Sequence, residues 1–514
     1  MSNASALFRS LLVYGLCLPL AVFLGYLLAN PLDYTTIGVV GVLFFIMVFP
    51  LLLRWHHFWL IAAWNTSAIL FFVPSKPPVW MAMAAISLAI GILQYTLNRN
   101  MKFLSVPSVA RPVFLLIAVV LVTMRFTGGI GIRSFGSETN GGRNYIELLG
   151  AIVGYFAITN LRIPPKRVNL YVALYFLGSA TAAIAELPGR VPAFFNFLFL
   201  VFPVSSLAAF EDPNSVVRPS LLSSRMHDLS VVGASVVCWM LARYGLRGIL
   251  DIRKPWRLTL IGFFFVVSLF GGFRSAFLVL AMILGLLFYL ERLHRTGWLL
   301  PVIFGLLAGG GLMILFMPHM PYSVQRSFAV VPFIPIDPAV KMDVEASSEW
   351  RIQMWRDVAP EIPQHLIVGK GYAFSQKELA KVEMRGGTRQ ESMEMVGNYH
   401  NGPLSVILPF GIPGSIAVVW LFVAGIRVLY RNYQFGDPAL RNINTFLFAQ
   451  FVVSTVCFFA IFGALQTDMH GFLGILGLGI SLNGGVAKPG VAPQPKIVFN
   501  RFKLHPSVRR PAGA

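Results

Sequence analysis

A chain of 514 residues has room for three soluble domains, but 56% hydrophobic and only 12% charged residues exclude that arrangement. A water-soluble protein carries roughly 25% charged residues, and the mean hydropathy here is +0.71. Polarity is too low for a disordered chain, no repeat period marks a solenoid, and apolar stretches of bilayer length recur from end to end.

Taken in chain order, spans are predicted near 8–29, 34–53, 57–73, 79–97, 112–127, 145–160 and 168–186, then near 229–243, 257–272, 274–290, 298–316, 404–429, 445–465 and 469–482. The fold expected is all-α, a polytopic transmembrane helical bundle of about 12–14 spans of ~20 residues each. The opening MSNASALFRS lacks the short apolar core and small-residue site of a cleaved signal, so it reads as the start of a retained first helix. Residues 190–210 are apolar but interrupted by Pro192 and Pro203, and are expected to re-enter the membrane or lie at its surface without crossing. Cys17, Cys238 and Cys457 all fall in apolar segments and form neither a disulfide framework nor a spaced metal site.

The formal net charge of +20 invites a nucleic-acid reading, which the position of the charges opposes. Residues 317–403 hold ten acidic and nine basic residues, so the excess lies elsewhere. Most of it falls in short connections: Arg99, Lys102 and Arg111; Arg162, Lys166 and Arg167; Arg243, Arg247, Arg253, Lys254 and Arg257; Arg292 and Arg295; Arg427, Arg431 and Arg441; and the tail from Lys488 to Arg510. Short basic loops face the cytoplasm, which makes the bilayer the partner of these charges. Two segments then face outward, Thr127–Asn144 and the long loop Met317–Pro403, the one stretch of soluble-protein composition. Four divisions follow: N-terminal membrane helices over 1–316, the external loop over 317–403, C-terminal membrane helices over 404–482, and a basic cytoplasmic tail over 483–514. Within the loop, Ser347 or Ser348 is expected to cap a helix through SSEWRIQMWRDVA that Pro360 and Pro363 end. A second helix is expected through SQKELAKVEMR.

The motifs of soluble enzymes are missing: no Walker lysine, HExxH, CxxC pair or GxSxG occurs, and TGGIGIRSFG opens no βαβ unit. The Asn65-Thr-Ser sequon falls inside an expected span. What remains are outward cations at membrane depth, Arg125, Arg218, Arg225 and Arg274, with Arg351 in the loop. Arg274 is the sharpest, lying between two spans with almost no connection, where an uncompensated cation costs several kcal/mol. A guanidinium there either snorkels to headgroups or binds a phosphate or carboxylate through its fork of donors. The second sharp feature is Asn398-Tyr399-His400-Asn401-Gly402-Pro403. Pro403 suits a helix start and Asn401 its cap, which sets His400 just outside a helix N-terminus. The positive end of the helix dipole disfavours an imidazolium there and leaves a ring nitrogen able to accept a proton. His470, close to Asp468, and His227, beside Asp228, are the lower-ranked alternatives.

GGFRSAFLVLAMILGLL, EWRIQMWRDVAPEIPQHLIVGKGYAF and YHNGPLSVILPFGIPG, in that order, resemble the O-antigen ligase and Wzy-type polymerase superfamily. The diagnostic stretch covers about 150 residues. The resemblance implies an inner-membrane glycosyltransferase of the cell envelope, with polysaccharide or lipopolysaccharide as its product. It would move a glycan from undecaprenyl diphosphate to a lipid or glycan acceptor at the periplasmic face, without nucleotide, metal or other cofactor. By position, Arg274 and Arg351 resemble the arginines that bind the donor diphosphate, and His400 the histidine that engages the acceptor hydroxyl; Arg218 and Asn401 join the substrate-binding set. The chain departs from the pattern at RPSLLSSRMHDL, which keeps Arg218 without the usual Asn-Pro-Asn-like turn, and at Arg274-Ser275-Ala276, which lacks the usual glycine. A ligase and a polymerase share the donor and differ in the acceptor. The competing class is a transporter or flippase for an anionic lipid or glycan. Against it stand the absence of a visible inverted repeat and the clustering of charges at one face, away from mid-bilayer.

Overall fold

The computed structural model describes residues 34–73, 76–98, 103–129, 139–187, 191–203, 226–375 and 397–489, with isolated positions between 14 and 25. Arg218, Arg225, the expected helix through SQKELAKVEMR and most of the basic tail lie outside the described residues. Among the described residues the regular structure is helical apart from two two-residue strands. In chain order the helices are α1 (Tyr34–Ala63), α2 (Val79–Leu97), α3 (Pro107–Thr127), α4 (Gly142–Thr159) and α5 (Val168–Leu177), which runs on as a 3₁₀ stretch Gly178–Glu186. Then come α6 (His227–Ile249), α7 (Trp256–Leu269), α8 (Arg274–Leu290), α9 (Leu299–Phe316), α10 (Tyr322–Phe328), α11 (Pro338–Val358), α12 (Gly402–Phe435), α13 (Arg441–Ala460) and α14 (Leu465–Asn483). Among the described residues, seven helical segments are long and apolar enough to cross a membrane, and α7 and α8 are shorter apolar helices in the same bundle. The chain is a multi-pass membrane protein.

One expected span is corrected. Residues 57–73 do not form a helix to their end: α1 breaks at Trp55 and stops at Ala63. The reason is the polar run after it. Asn65 donates to the Tyr175 carbonyl at 2.7 Å, Thr66 to the Ala63 carbonyl, and Ser67 meets Thr181 through both its N–H and its hydroxyl. The sequon thus follows a helix, and its asparagine is turned inward. Over residues 191–203 only a nine-residue helical stretch, Ala193 to Val201, is present, too short to cross ~30 Å.

The bundle has two chemically distinct ends. At one, Gln94 reaches the Leu53 carbonyl, Gly91 abuts Asn160, and the Ile163 N–H bonds the Ser481 carbonyl. There too Asn444 bonds both Asn432 and Asn483, tying α12, α13 and α14 together, and Tyr433 reaches the Leu290 carbonyl. This end carries the basic connections at 162–167, 243–257, 292–295 and 427–441. The opposite end carries the loop between α9 and α12. There β1 (Thr139–Asn140) pairs antiparallel with β2 (Phe374–Ser375), so the two segments expected to face outward join each other.

The core explains why the helices approach so closely. Trp64 is fully buried with its ring wedged between Gly154 of α4 and Gly474 of α14. A Cβ at Gly154 would stand 2.3 Å from that ring. Small residues at the contact bring backbones within van der Waals reach, which is how helices gain packing energy when water does not drive them together. α9 is the exception: mean hydropathy 2.3 and none of its residues buried, with Met313 packed against the cluster of Leu269, Met317, Val324 and Phe328.

Gly154→Ala should therefore lower stability by roughly 1–3 kcal/mol through overpacking. The drop should appear as an earlier thermal unfolding in detergent, and Trp64→Leu in the same chain should restore part of it. A Gly154→Ala protein that unfolds with the parent would show that the ring shifts freely.

Candidate functional site

The loop between α9 and α12 is anchored in two places, and each anchor holds one of the residues singled out above. The first is α10. All seven of its residues are buried, including Arg326, which is 8% exposed. Seated over the turn from α7 to α8, it bonds carbonyls of that turn: the Ser327 hydroxyl donates to Leu269 at 2.9 Å and Arg326 Nη1 to Gly272 at 2.7 Å. Arg326 Nε also donates to Asp343 Oδ2 at 2.5 Å, an oxygen that accepts from Tyr322 as well. The charge of Arg326 is thus paired inside the loop. Arg274, the first residue of α8, is partly buried beside this pair and feels the like charge of Arg326 and the opposite charge of Asp343.

The link to the second anchor is α11, and its start corrects an expectation. Asp337 caps it, accepting from the Ala339 N–H at 2.7 Å, with Pro338 opening the helix. Ser347 and Ser348, expected as caps, lie in mid-helix. Ser348 bonds the Val344 carbonyl and accepts from both Nη1 and Nη2 of Arg274 at 3.2 Å. Residues 343, 344, 347, 348, 350, 351, 354, 355 and 358 are the covered positions of the helix from 342 to 358; every other is exposed. At 100° per residue they occupy one arc of about 160°. Ser348 stands at one edge of that arc, Trp350 at the other, and Arg351 between them. As expected, the helix ends before Pro360, passing into a 3₁₀ stretch Ala359–His365.

The second anchor is the strap before α12. Trp355 Nε1 donates to the Tyr399 carbonyl at 2.8 Å, and Met354, Val358, Tyr399 and Leu408 form a small buried cluster. Trp350 meets the His400 ring edge to face at 5.6 Å. His400 itself has φ of +47°, a left-handed conformation that is rare for a residue with a side chain and often marks a working position. Asn401 is the N-cap of α12, its Oδ1 accepting from the Leu404 N–H at 3.1 Å. That leaves the amide NH₂ of Asn401 as the group free of capping duty. α12 then breaks at Gly411, whose φ of +63° only glycine adopts easily, so its first nine residues form a separate stub. Backbone bonds from Lys370 to Leu408, Gly371 to Pro409 and Ile412 to Leu366 hold the break against the loop.

One face of α11 thus brings Arg274, Arg351 and His400 to the same end of the bundle. Arg125, exposed at the last turn of α3, does not join them. His470 is elsewhere: it is sandwiched between Trp64 and Trp80 with ring centroids 4.5 and 4.3 Å away, and bonds the Trp64 carbonyl. Asp468 does not orient it, because Asp468 Oδ2 accepts from the Ala464 N–H of its own helix start. Reading along the sequence misses the contacts that Arg326, Asp343, Ser348 and Trp350 make at this end. The helical spacing of Val344, Ser348, Arg351, Trp355 and Val358 is the signal that places Ser348 and Trp355 on the same face as Arg351.

Asp343→Asn should leave the Arg326 charge buried without its partner, a loss of roughly 3 kcal/mol. The expected readout is protease cleavage within 317–358 at concentrations that spare the parent. Equal resistance would mean that Gly272 alone holds Arg326.

No curated protein matches the chain. The family model described as O-antigen ligase matches residues 258–419, from the first turn of α7 into α12 and so across Arg274, Arg351 and His400, and on that match the chain carries a domain of the O-antigen ligase and Wzy-type superfamily.

Proposed function

We propose that the chain is an inner-membrane glycosyltransferase that moves a glycan from an undecaprenyl-diphosphate donor to a lipid or glycan acceptor at the periplasmic face. The observation that carries this reading is the covered arc of α11: at one edge Ser348 meets Arg274, at the other Trp350 meets His400, and Arg351 lies between them. The site end lies opposite the basic connections, which supports a cytoplasmic basic end and a periplasmic site. In this reading 1–316 and 404–482 form the membrane part, 317–403 the external loop that closes the site, and 483–514 a cytoplasmic tail.

Chemically, an acceptor hydroxyl attacks the anomeric carbon of the donor glycan while the bond from that carbon to the diphosphate oxygen breaks. His400 takes the hydroxyl proton, and Asn401 offers its amide NH₂ to the incoming sugar. Arg274 and Arg351, with Arg218 as a third cation, meet the charge of the leaving diphosphate. Fixed cations in a poorly solvated site count for more than mobile ions in water, since they need no reorganisation as charge develops. The activated diphosphate itself drives the transfer, without nucleotide or metal. Within the family's range of acceptors, transfer to a lipid-anchored core makes the chain a ligase and transfer to a growing glycan makes it a polymerase.

Purified protein given a lipid-diphosphate-linked glycan and an acceptor tests the chemistry. Arg274→Ala should reduce transfer about ten- to a hundredfold, the cost of one charge-assisted contact of roughly 1.5–3 kcal/mol. Arg274→Lys should recover only part, since a point charge cannot reproduce the fork. His400→Ala should cost ~10²–10⁴-fold with donor binding intact. Full activity in either alanine variant would remove that residue from the mechanism, and strong activity in His400→Gln would make it a positioning group in place of a base.

Topology is tested separately. A cysteine at Glu345 should react with a membrane-impermeant maleimide in spheroplasts, and one at Lys254 only after permeabilisation, both on a background lacking Cys17. The reverse pattern would turn the proposed site toward the cytoplasm and end the reading.

A further inference from the structure

The basic end of the bundle holds a feature that the transferase reading leaves unused. α6 breaks at Gly245, with φ of +65° and ψ of 171°, and its last turn swings out of line. Glu291, just past α8, holds the break: its two carboxylate oxygens accept from the N–H groups of Leu246 and Arg247 at 2.7 and 2.8 Å. The Arg247 guanidinium donates twice to the main-chain carbonyl of Glu291, at 3.0 and 2.7 Å. The acid is therefore spent on backbone donors, while the arginine is fixed in place with its charge unpaired. Among the described residues, no ion pair within 4.0 Å involves Arg247, Arg253, Lys254 or Arg257.

Beside this fixed arginine lies an open groove of about 510 Å³, lined by Arg247, Gly248, Leu250, Asp251, Ile252, Arg253 and Trp298. Its one acid, Asp251, turns an oxygen onto the Arg253 N–H. Behind it, Arg257 stacks on Tyr244 at 4.0 Å and bonds the Gly248 carbonyl, and its Nε is buried without a hydrogen-bond partner. The groove also has an apolar half. Ile252 is 80% exposed and Trp298 lines the wall.

We infer that this groove binds the headgroup of an anionic phospholipid. The phosphate would lie against Arg247 and Arg253, with Lys254 at the rim, and the glycerol and upper acyl carbons against Ile252 and Trp298. A free phosphate would use only the cations and leave the apolar half wet. A zwitterionic lipid would bring its own cation against four others. The combination of unpaired arginines and a partly exposed tryptophan at the end of membrane helices fits a lipid that is anionic and apolar at once. The inference does not rest on the transferase reading and holds whichever way the chain faces, because both leaflets present headgroups.

Thermal unfolding of the full chain in a mild detergent decides it, because a ligand that binds only the folded state raises the transition temperature. Dioleoyl-phosphatidylglycerol should raise it by roughly 2–5 °C, while dioleoyl-phosphatidylcholine and inorganic phosphate leave it unmoved. The doubly substituted Arg253→Gln, Lys254→Gln chain and, independently, Trp298→Ala should each lose at least half of the rise. Lys166→Gln with Arg167→Gln, at the same end but outside the groove, should keep it. An undiminished rise in both groove variants, an equal loss in the Lys166 and Arg167 control, or an equal rise with phosphatidylcholine or phosphate would each overturn the inference. If the double variant does not fold, Trp298→Ala measured against the parent is sufficient by itself to uphold or overturn it.

Discussion

The geometry of the candidate site depends on one contact, the acceptance by Ser348 of both terminal nitrogens of Arg274. It joins the membrane bundle to the loop between α9 and α12 at a charged residue that hydrocarbon will not accommodate. Because Ser348 lies on a regular helix, fixing it fixes the rest of that face. Arg351 follows three residues on, a rise of about 4.5 Å, and Trp355 seven residues on, about 10.5 Å. Trp355 then holds the strap that carries His400. A loop without such a helix would have to position a cation and an imidazole separately, each at its own entropic cost. Here a single rigid element positions both.

The polarity of the bundle is the second constraint. The two ends do not differ in hydrogen bonding, since both are laced by side chains reaching main-chain carbonyls. They differ in charge. At the basic end Glu291, Asp251 and Asp437 each accept backbone N–H groups, and among the described residues none forms an ion pair within 4.0 Å with the surrounding arginines and lysines. At the site end the buried Arg326 is paired with Asp343, which leaves Arg274 beside an ion pair and not beside a lone cation. An incoming dianion would therefore meet Arg274 without having to displace a carboxylate from it, since its protein partner is a neutral hydroxyl.

The bundle was legible in the sequence because hydropathy at bilayer length is a strong signal and most spans lie within a few residues of their expected limits. The exception is instructive. Residues 64–73 are apolar enough to read as span, yet Asn65 and Ser67 bond Tyr175 and Thr181 while Thr66 turns back onto the Ala63 carbonyl, and a window average does not register such bonds. Arg274 and His400 were legible for a different reason: each breaks a local rule, a cation in an apolar run and a histidine before a capped helix. Arg326 obeys no such pattern. Its role comes from Asp343, seventeen residues away, and from the Gly272 carbonyl on another segment, neither of which is visible along the chain. The start of α11 was misplaced by ten residues because two serines with a glutamate shortly after imitate a cap. The true cap, Asp337 before Pro338, sits behind a proline-rich stretch that reads as loop.

What the loop helix does for Arg274, the broken α12 does for His400. A continuous helix from 402 to 435 would be about 51 Å long, far more than a bilayer needs. The break at Gly411 turns its first nine residues into a stub whose N-terminus stays at the site end. The unwound carbonyls and N–H groups around 408–412 are not left to lipid, because Lys370, Gly371 and Leu366 of the loop bond them. That is the condition on which irregular backbone survives at membrane depth. The loop is therefore required by the helix as much as the helix by the loop. His400, strained at the start of the stub, is held by Trp350 from one side and by the seated Gly402, pressed against Phe458, from the other. A residue in an unfavourable backbone conformation persists only where its surroundings over-determine it, and these two contacts come from elements that do not otherwise depend on each other.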